Sequence, residues 1–310
     1  MSNKRKIAMA IAIPIAAGLA IAACPLSSLA GTKTVLDKAY SSAWKGARAV
    51  SYVAPSAAEL KTMQRLFVRL LKGEPASRMA ADLRALGWTV STEKTGDLTW
   101  TIVAEAGDQR QGRGLYAFSN KGRHAMQAPH VPSDKLTGQI LLRYAEDAQD
   151  AQYAENADDV SPRALAWNTV PRRTADLADL DESYLIAFSR AFAQVYPAQK
   201  IFQLHGFDMK RRRSAVAAQS SVIVSSSHRN PPQQLKSAVH CMQQKIEKRT
   251  RLYGVDVSEL GGTQNSVAHA LRKEAYHGFV HVEMDLPLRE RLADEPAQRR
   301  KLLACLGSEQ

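Results

Sequence analysis

Cysteine is scarce in this chain of 310 residues, which has only three. Such a count excludes a fold held by a dense disulfide framework. Negative charge is also short, with 30 acidic against 42 basic side chains and a net charge of +12. A basic balance suits anionic envelope polymers or acidic substrates, and serves solubility equally well. Internal repeats and long low-complexity segments are missing, which argues against a solenoid or a disordered tail. The densest basic run, Lys210-Arg211-Arg212-Arg213, has no aromatic residues interleaved with it, so nothing points to nucleic acid. Ser225-Ser226-Ser227 lacks the spacing of a nucleophile elbow. Gly261-Gly262-Thr263-Gln264-Asn265 lacks that of a phosphate-binding loop and reads as a turn followed by a helix cap.

One long apolar run is present. Lys4, Arg5 and Lys6 precede an uncharged stretch from Ile7 to Ala23, and small residues follow. Residues 1–30 therefore read as an export signal. Two processing routes stand open. Ile21-Ala22-Ala23-Cys24 resembles a lipobox, which would attach the chain to a membrane through a lipidated Cys24. Ser28-Leu29-Ala30 before Gly31 fits an ordinary cleavage site. Both predict a periplasmic or cell-envelope protein, lipid-anchored or soluble, and an uncleaved membrane anchor, the third reading, would also place the remaining chain outside the cytoplasm. Cys241 and Cys305 are then an even pair in an oxidising compartment, open to a disulfide or to burial as free thiols.

Beyond the leader, residues 31 to about 50 show no clear period and are expected to be loose. Leu60, Met63, Leu66, Leu70 and Leu71 recur at helical steps. Strand rhythm starts near Trp88 and continues through Leu98–Ala104 and Gly114–Phe118. Strands at 125–128, 200–204, 222–224 and 278–285 then alternate with helices at 135–147, 183–195, 234–252, 265–272 and 296–306. This alternation predicts an α/β fold with a mixed or mostly parallel sheet flanked by helices. A small N-terminal α/β segment, 31–107, would precede a main domain, 108–310, pack on it or feed strands into its sheet.

Three polar groups fall where these strands end, the usual place for a site in such sheets. Pro129-His130-Val131-Pro132-Ser133-Asp134 carries a histidine and, four residues on, a carboxylate. Phe202-Gln203-Leu204-His205-Gly206 carries apolar residues into a second histidine. In Phe279-Val280-His281-Val282-Glu283-Met284, His281 and Glu283 share one strand face. Two imidazoles and a carboxylate, with a position left for water, suit a catalytic zinc ion. His130, Asp134 and His205 are the candidate ligands. Glu283, in an otherwise apolar strand, is the candidate proton carrier.

Proline-histidine, then a carboxylate, then Thr137 three residues on, resembles the first metal motif of carboxypeptidase-like zinc hydrolases. The poly-gamma-glutamate hydrolases and N-formylglutamate amidohydrolases are nearest. His205-Gly206 is similar to their later zinc histidine, and Phe279–Asp285 before Leu288-Arg289-Glu290-Arg291 to their closing strand with its catalytic glutamate. The resemblance covers about Ala125 to Leu292. The chain departs from it in using aspartate in the metal pair and in lacking a glycine run after His130. It implies hydrolysis of an amide or peptide bond in a small acidic peptide or cell-wall-derived substrate. It also implies an arginine, often near an asparagine, between the metal motifs; Arg172 and Asn168 are the candidates, with Arg173 as substitute. His281 is a further candidate for orienting substrate. A binding or assembly module of the envelope that keeps the fold without catalysis is the alternative, and an ester or acyl hydrolase using the same metal is a second rival.

Overall fold

The computed structural model describes residues 33–45, 51–107, 110–149 and 161–308. The expected leader, with Cys24, lies outside the described residues. Nine strands form one mixed sheet in the order β1-β2-β3-β5-β4-β6-β9-β7-β8. They are β1 (Trp88–Thr95), β2 (Leu98–Glu105), β3 (Leu115–Ser119), β4 (His124–Ala128), β5 (Pro162–Trp167), β6 (Ile201–Gly206), β7 (Val222–Ser225), β8 (Thr250–Leu252) and β9 (Phe279–Met284). The four central strands, β5, β4, β6 and β9, run parallel. β1, β2 and β3 continue the sheet antiparallel on one side, so the two strands from before residue 108 extend the same sheet, with β1 at its edge.

Strand alternation sorts the central side chains into two cores. Met126, Ala128, Phe202, Leu204, Val280, Val282 and Met284 point to one face. There they pack under α1 (Val35–Trp44), α4 (Thr137–Gln149), α7 (Gln233–Lys245), α9 (Leu286–Asp294) and α10 (Pro296–Gly307). The opposite face carries Ala125, Ile201 and Phe279, under α2 (Ala57–Leu71), α3 (Ala80–Ala85), α5 (Tyr184–Val195) and α8 (Ser266–Lys273). A short helix, α6, spans Ala215–Ala218. With both faces covered, the parallel strands can be apolar throughout. That they are not, at Gln127, Gln203, His205, His281 and Glu283, marks the functional face.

Two expectations fail. Residues 35–44, expected loose, form α1. Thr34 and Asp37 make a capping box, and the Glu93 carboxylate accepts from the Val35 and Leu36 N–H groups. The inward face of α1 mixes Leu36, 1% exposed and in the core, with the half-buried Val35, Ala39, Tyr40, Ala43 and Trp44, and a helix of ten residues repeats that pattern too few times to stand out. The helix expected to reach residue 252 stops at Lys245. The Thr250 hydroxyl then donates to the Glu247 carbonyl, and Thr250–Leu252 pairs parallel with β7 as the edge strand. Basic composition favoured a longer helix locally, but the open edge of β7 offered backbone partners that a helix turn would have left unused.

Cys241 of α7 and Cys305 of α10 form a disulfide, with Cα atoms 5.5 Å apart. The bond closes a segment of 64 residues that includes β8, α8 and β9. Constraint of the unfolded chain by a loop this long is worth about 4 kcal/mol. Replacing both cysteines with alanine is expected to lower the free energy of urea unfolding by up to about that amount. Equal denaturation midpoints with and without reductant would show that the bond contributes nothing.

Candidate metal centre

After β4 the chain crosses to β5 on one side, then returns to β6 on the other. The C-terminal ends of β4 and β6 therefore flank a topological switch point, where a crevice opens in α/β sheets. His130 follows β4, His205 is the fifth residue of β6, and the register sets His205 beside Glu283 of β9. The strand ends thus gather residues that lie far apart in sequence.

His130 Nδ1 lies 3.2 Å from Asp134 Oδ2 and 3.1 Å from His205 Nδ1, and His205 Nδ1 lies 3.4 Å from the same carboxylate oxygen. All three residues are buried. Ligand atoms roughly 2.0–2.1 Å from a tetrahedral zinc ion lie about 3.3 Å apart, so the triangle has the size of one face of that tetrahedron. The far nitrogens point away from it. His130 Nε2 is 2.7 Å from Asp176 Oδ1, and His205 Nε2 is 2.8 Å from Gln203 Oε1. Outward hydrogen bonds of this kind orient metal-binding imidazoles. Two imidazole nitrogens and a carboxylate oxygen, otherwise mutually repulsive, fit a single cation at their centre.

The turn that carries Asp134 is held from several sides. The Asp134 N–H donates to the His130 carbonyl, the Thr137 hydroxyl donates to the Asp134 carbonyl, and the Gly206 N–H donates to Asp134 Oδ2. Arg289 lies flat over Gly206, where an added Cβ would come within 2.5 Å of the guanidinium carbon. Its guanidinium donates to the carbonyls of Met284, Asp285 and Lys135, tying the end of β9 to the metal turn. Glycine at 206 is required by that approach.

Asp134 and Glu283 are both buried, which opposes ionisation. Hydrogen bonds with His130 and His205 nevertheless hold the Asp134 carboxyl well below its ordinary range. His281 and the nearby His205 hold Glu283 down as well. Burial alone would lower the pKa of His130, but hydrogen bonds with Asp134 and Asp176 outweigh it and raise it. Burial drives His205 the other way, helped by the neighbouring His281. In the metal-free protein at neutral pH, one proton on His130 thus occupies the triangle while His205 stays neutral.

A cavity of about 310 Å³ opens on this triangle. Glu283 and His281 line it, together with Arg172, Asp179, Tyr253, Gly206 and the segment 260–265. His281 Nε2 is 3.3 Å from Glu283 Oε1, and its ring lies against that of His205 at 4.3 Å between centroids. Among the described residues, Glu283 Oε2 and His281 Nδ1 have no hydrogen-bond partner. Buried groups of that kind are costly, and both belong to residues that line the cavity.

The other sequence candidates are distributed unevenly. Arg172 reaches the cavity, but its Nε is 2.6 Å from Asp176 Oδ2, so part of the guanidinium serves Asp176. Asn168 does not reach it. Its amide oxygen accepts from the Val131 N–H and its nitrogen donates to the Val170 carbonyl, fastening the loop behind His130. Arg173 faces a separate cleft with Tyr40, Trp44 and Pro132. Asp176, Gln203 and Arg289 were not anticipated in these roles. Gln203 alone had a visible signal, as a polar residue two before His205 on the same strand face. Asp176 is one of several acidic residues in its loop, and nothing local distinguishes it.

A divalent cation entering this triangle would have to displace the His130 proton, so uptake near neutral pH should release about one proton per ion. Apparent affinity should strengthen as pH rises from about 6 to 8 and level off above the raised His130 pKa. Calorimetry in buffers of different ionisation enthalpy measures both; binding independent of pH across that range would contradict the assignment.

No family model and no curated protein matches the chain. Among solved structures it is similar to a protein described provisionally as carboxypeptidase A from Shewanella denitrificans, at 11% identity and a TM-score of 0.40, over 74% of this chain and 68% of that one. It is also similar to a metallo-carboxypeptidase from Pseudomonas aeruginosa in complex with (2-guanidinoethylmercapto)succinic acid, at 11% identity and a TM-score of 0.40, over 74% of this chain and 67% of that one. At this level of similarity, the chemistry has to be read from the site's own atoms.

Proposed function

We propose that the chain is a zinc-dependent hydrolase of amide or peptide bonds, with His130, Asp134 and His205 holding the metal and Glu283 carrying the proton. The observation that carries this reading is the convergence of three buried ligand atoms, spaced 3.1 to 3.4 Å apart, beside a cavity that Glu283 also lines. Bound zinc would supply Lewis acidity that makes water a competent nucleophile near neutral pH. Glu283 suits the companion task. Its lowered pKa keeps it ionised and able to accept a proton, and Oε1 is anchored by His281. The Glu283 carboxylate takes the proton of the attacking water and returns it to the leaving nitrogen. Arg172 at the cavity edge grips a substrate carboxylate or the scissile carbonyl with the part of its guanidinium that Asp176 does not use. His281, which lines the cavity beside Glu283, helps to orient substrate. Asn168 supports the site by fixing the loop behind His130.

The substrate class follows from the sequence resemblance and from the expected export: a gamma-glutamyl, N-acyl amino acid or cell-wall peptide. The Cys241–Cys305 disulfide supports an oxidising compartment, as in a periplasmic or envelope protein.

Glu283→Gln should keep zinc but lower turnover by about 10²–10⁴-fold. His205→Ala should lose metal and activity together. The panel is gamma-glutamyl peptides, N-acyl amino acids and muropeptides, with zinc measured by mass spectrometry on protein purified without chelator. Loss of zinc in Glu283→Gln with retention in Asp134→Asn would invert the roles of ligand and proton carrier. A metal-free wild type, unaffected by His130→Ala, would instead favour a non-catalytic binding module.

A further inference from the structure

Beneath the metal triangle, on the face covered by α5 and α8, runs a chain of buried amides. The Asn265 side-chain nitrogen donates to Gln203 Oε1 at 2.6 Å. Gln203 Nε2 donates to Gln127 Oε1 at 2.9 Å, and Gln127 Nε2 to the Ser189 hydroxyl at 2.7 Å. The Ser189 hydroxyl donates to the Leu185 carbonyl at 2.7 Å. Gln127, Gln203 and Ser189 are fully buried, and Asn265 is nearly so. The sheet register builds the chain, because Gln127 pairs with Gln203 across β4 and β6.

An amide can be turned end for end, so its direction must come from something that cannot turn. Here that is the backbone. The Ala268 N–H can only donate, and it donates to Asn265 Oδ1 as the cap of α8. Asn265 therefore presents its NH₂ to Gln203, and Gln203 must present its oxygen. That same oxygen lies 2.8 Å from His205 Nε2. A neutral imidazole carries one N–H, and facing an acceptor it has to be on Nε2. The lone pair is then on Nδ1, the atom turned into the triangle.

We propose that Asn265 and Gln203 are positioning residues that set the tautomer and ring orientation of His205 for metal binding, with α8's cap as the fixed end of the relay. This rests on the zinc reading above. It also connects the metal to the segment 260–265 that lines the cavity, since Asn265 belongs to both.

Asn265→Asp tests the relay with almost no change of shape. Aspartate caps a helix as well as asparagine does. Its second oxygen would face Gln203, which must turn to donate, and Gln127 and Ser189 can turn after it. His205 Nε2 would then meet an N–H and shift its own proton to Nδ1, where the metal should bind. Zinc affinity is expected to fall ten- to a hundredfold, the usual range for loss of such outer contacts. Asn265→Ala removes cap and donor together but leaves Gln203 free to keep accepting from His205. The two variants should therefore rank oppositely: alanine lower in melting temperature, aspartate weaker in zinc binding by chelator competition. A purely structural role would put alanine last in both and overturn the proposal. Long-range ¹H–¹⁵N spectra of the metal-free wild type give a second reading. A proton on His205 Nε2 is expected; a proton on Nδ1 would overturn the relay. Should the wild type bind no zinc, the metal reading fails, while these spectra still decide the relay.

Discussion

Three electron-pair donors, His130 Nδ1, Asp134 Oδ2 and His205 Nδ1, are held closer together than uncompensated lone pairs would choose. A cation or a proton at their centre relieves the repulsion, but the surrounding structure has to impose the geometry before either arrives. Much of the molecule near the switch point can be understood as that restraint. Asn168 and Asp176 hold His130 from behind and from its far nitrogen. Gly206 and Thr137 hold Asp134 and its turn, and Gln203 holds His205.

Burial makes this arrangement expensive and also useful. Polar groups away from water cost free energy unless each finds a partner. The protein meets this with hydrogen bonds that end on backbone groups, at the α8 cap and at the Leu185 carbonyl. Arg289, 5% exposed and near both Asp134 and Glu283, places a fixed positive charge behind two buried carboxylates. Its own hydrogen bonds all go to carbonyls of the two chain segments it joins, so it serves as a brace as well as a counter-charge. Two of the buried atoms left without partners, Glu283 Oε2 and His281 Nδ1, belong to residues that line the cavity.

The sequence by itself determined the α/β class and most strands of the sheet, because burial on two faces writes a regular apolar rhythm. It also singled out His130, Asp134, His205, His281 and Glu283, since a polar residue interrupting an apolar strand end stands out locally. It missed α1, a helix of ten residues whose inward face mixes alanines with half-buried aromatics over too few turns to show a period, and it ran one helix over the segment that became β8. Tertiary structure decided what depends on partners distant in sequence. Strand register brought Gln203 between Gln127 and His281, and His205 beside Glu283. It selected Asp176 from several acidic residues, moved Asn168 from substrate candidate to loop support, and divided Arg172 between Asp176 and the cavity. It also chose the disulfide over two free thiols. The reason is common to all of these: residue type and period are local properties, whereas a hydrogen-bond partner is a matter of position in space, fixed only once the strands are in register.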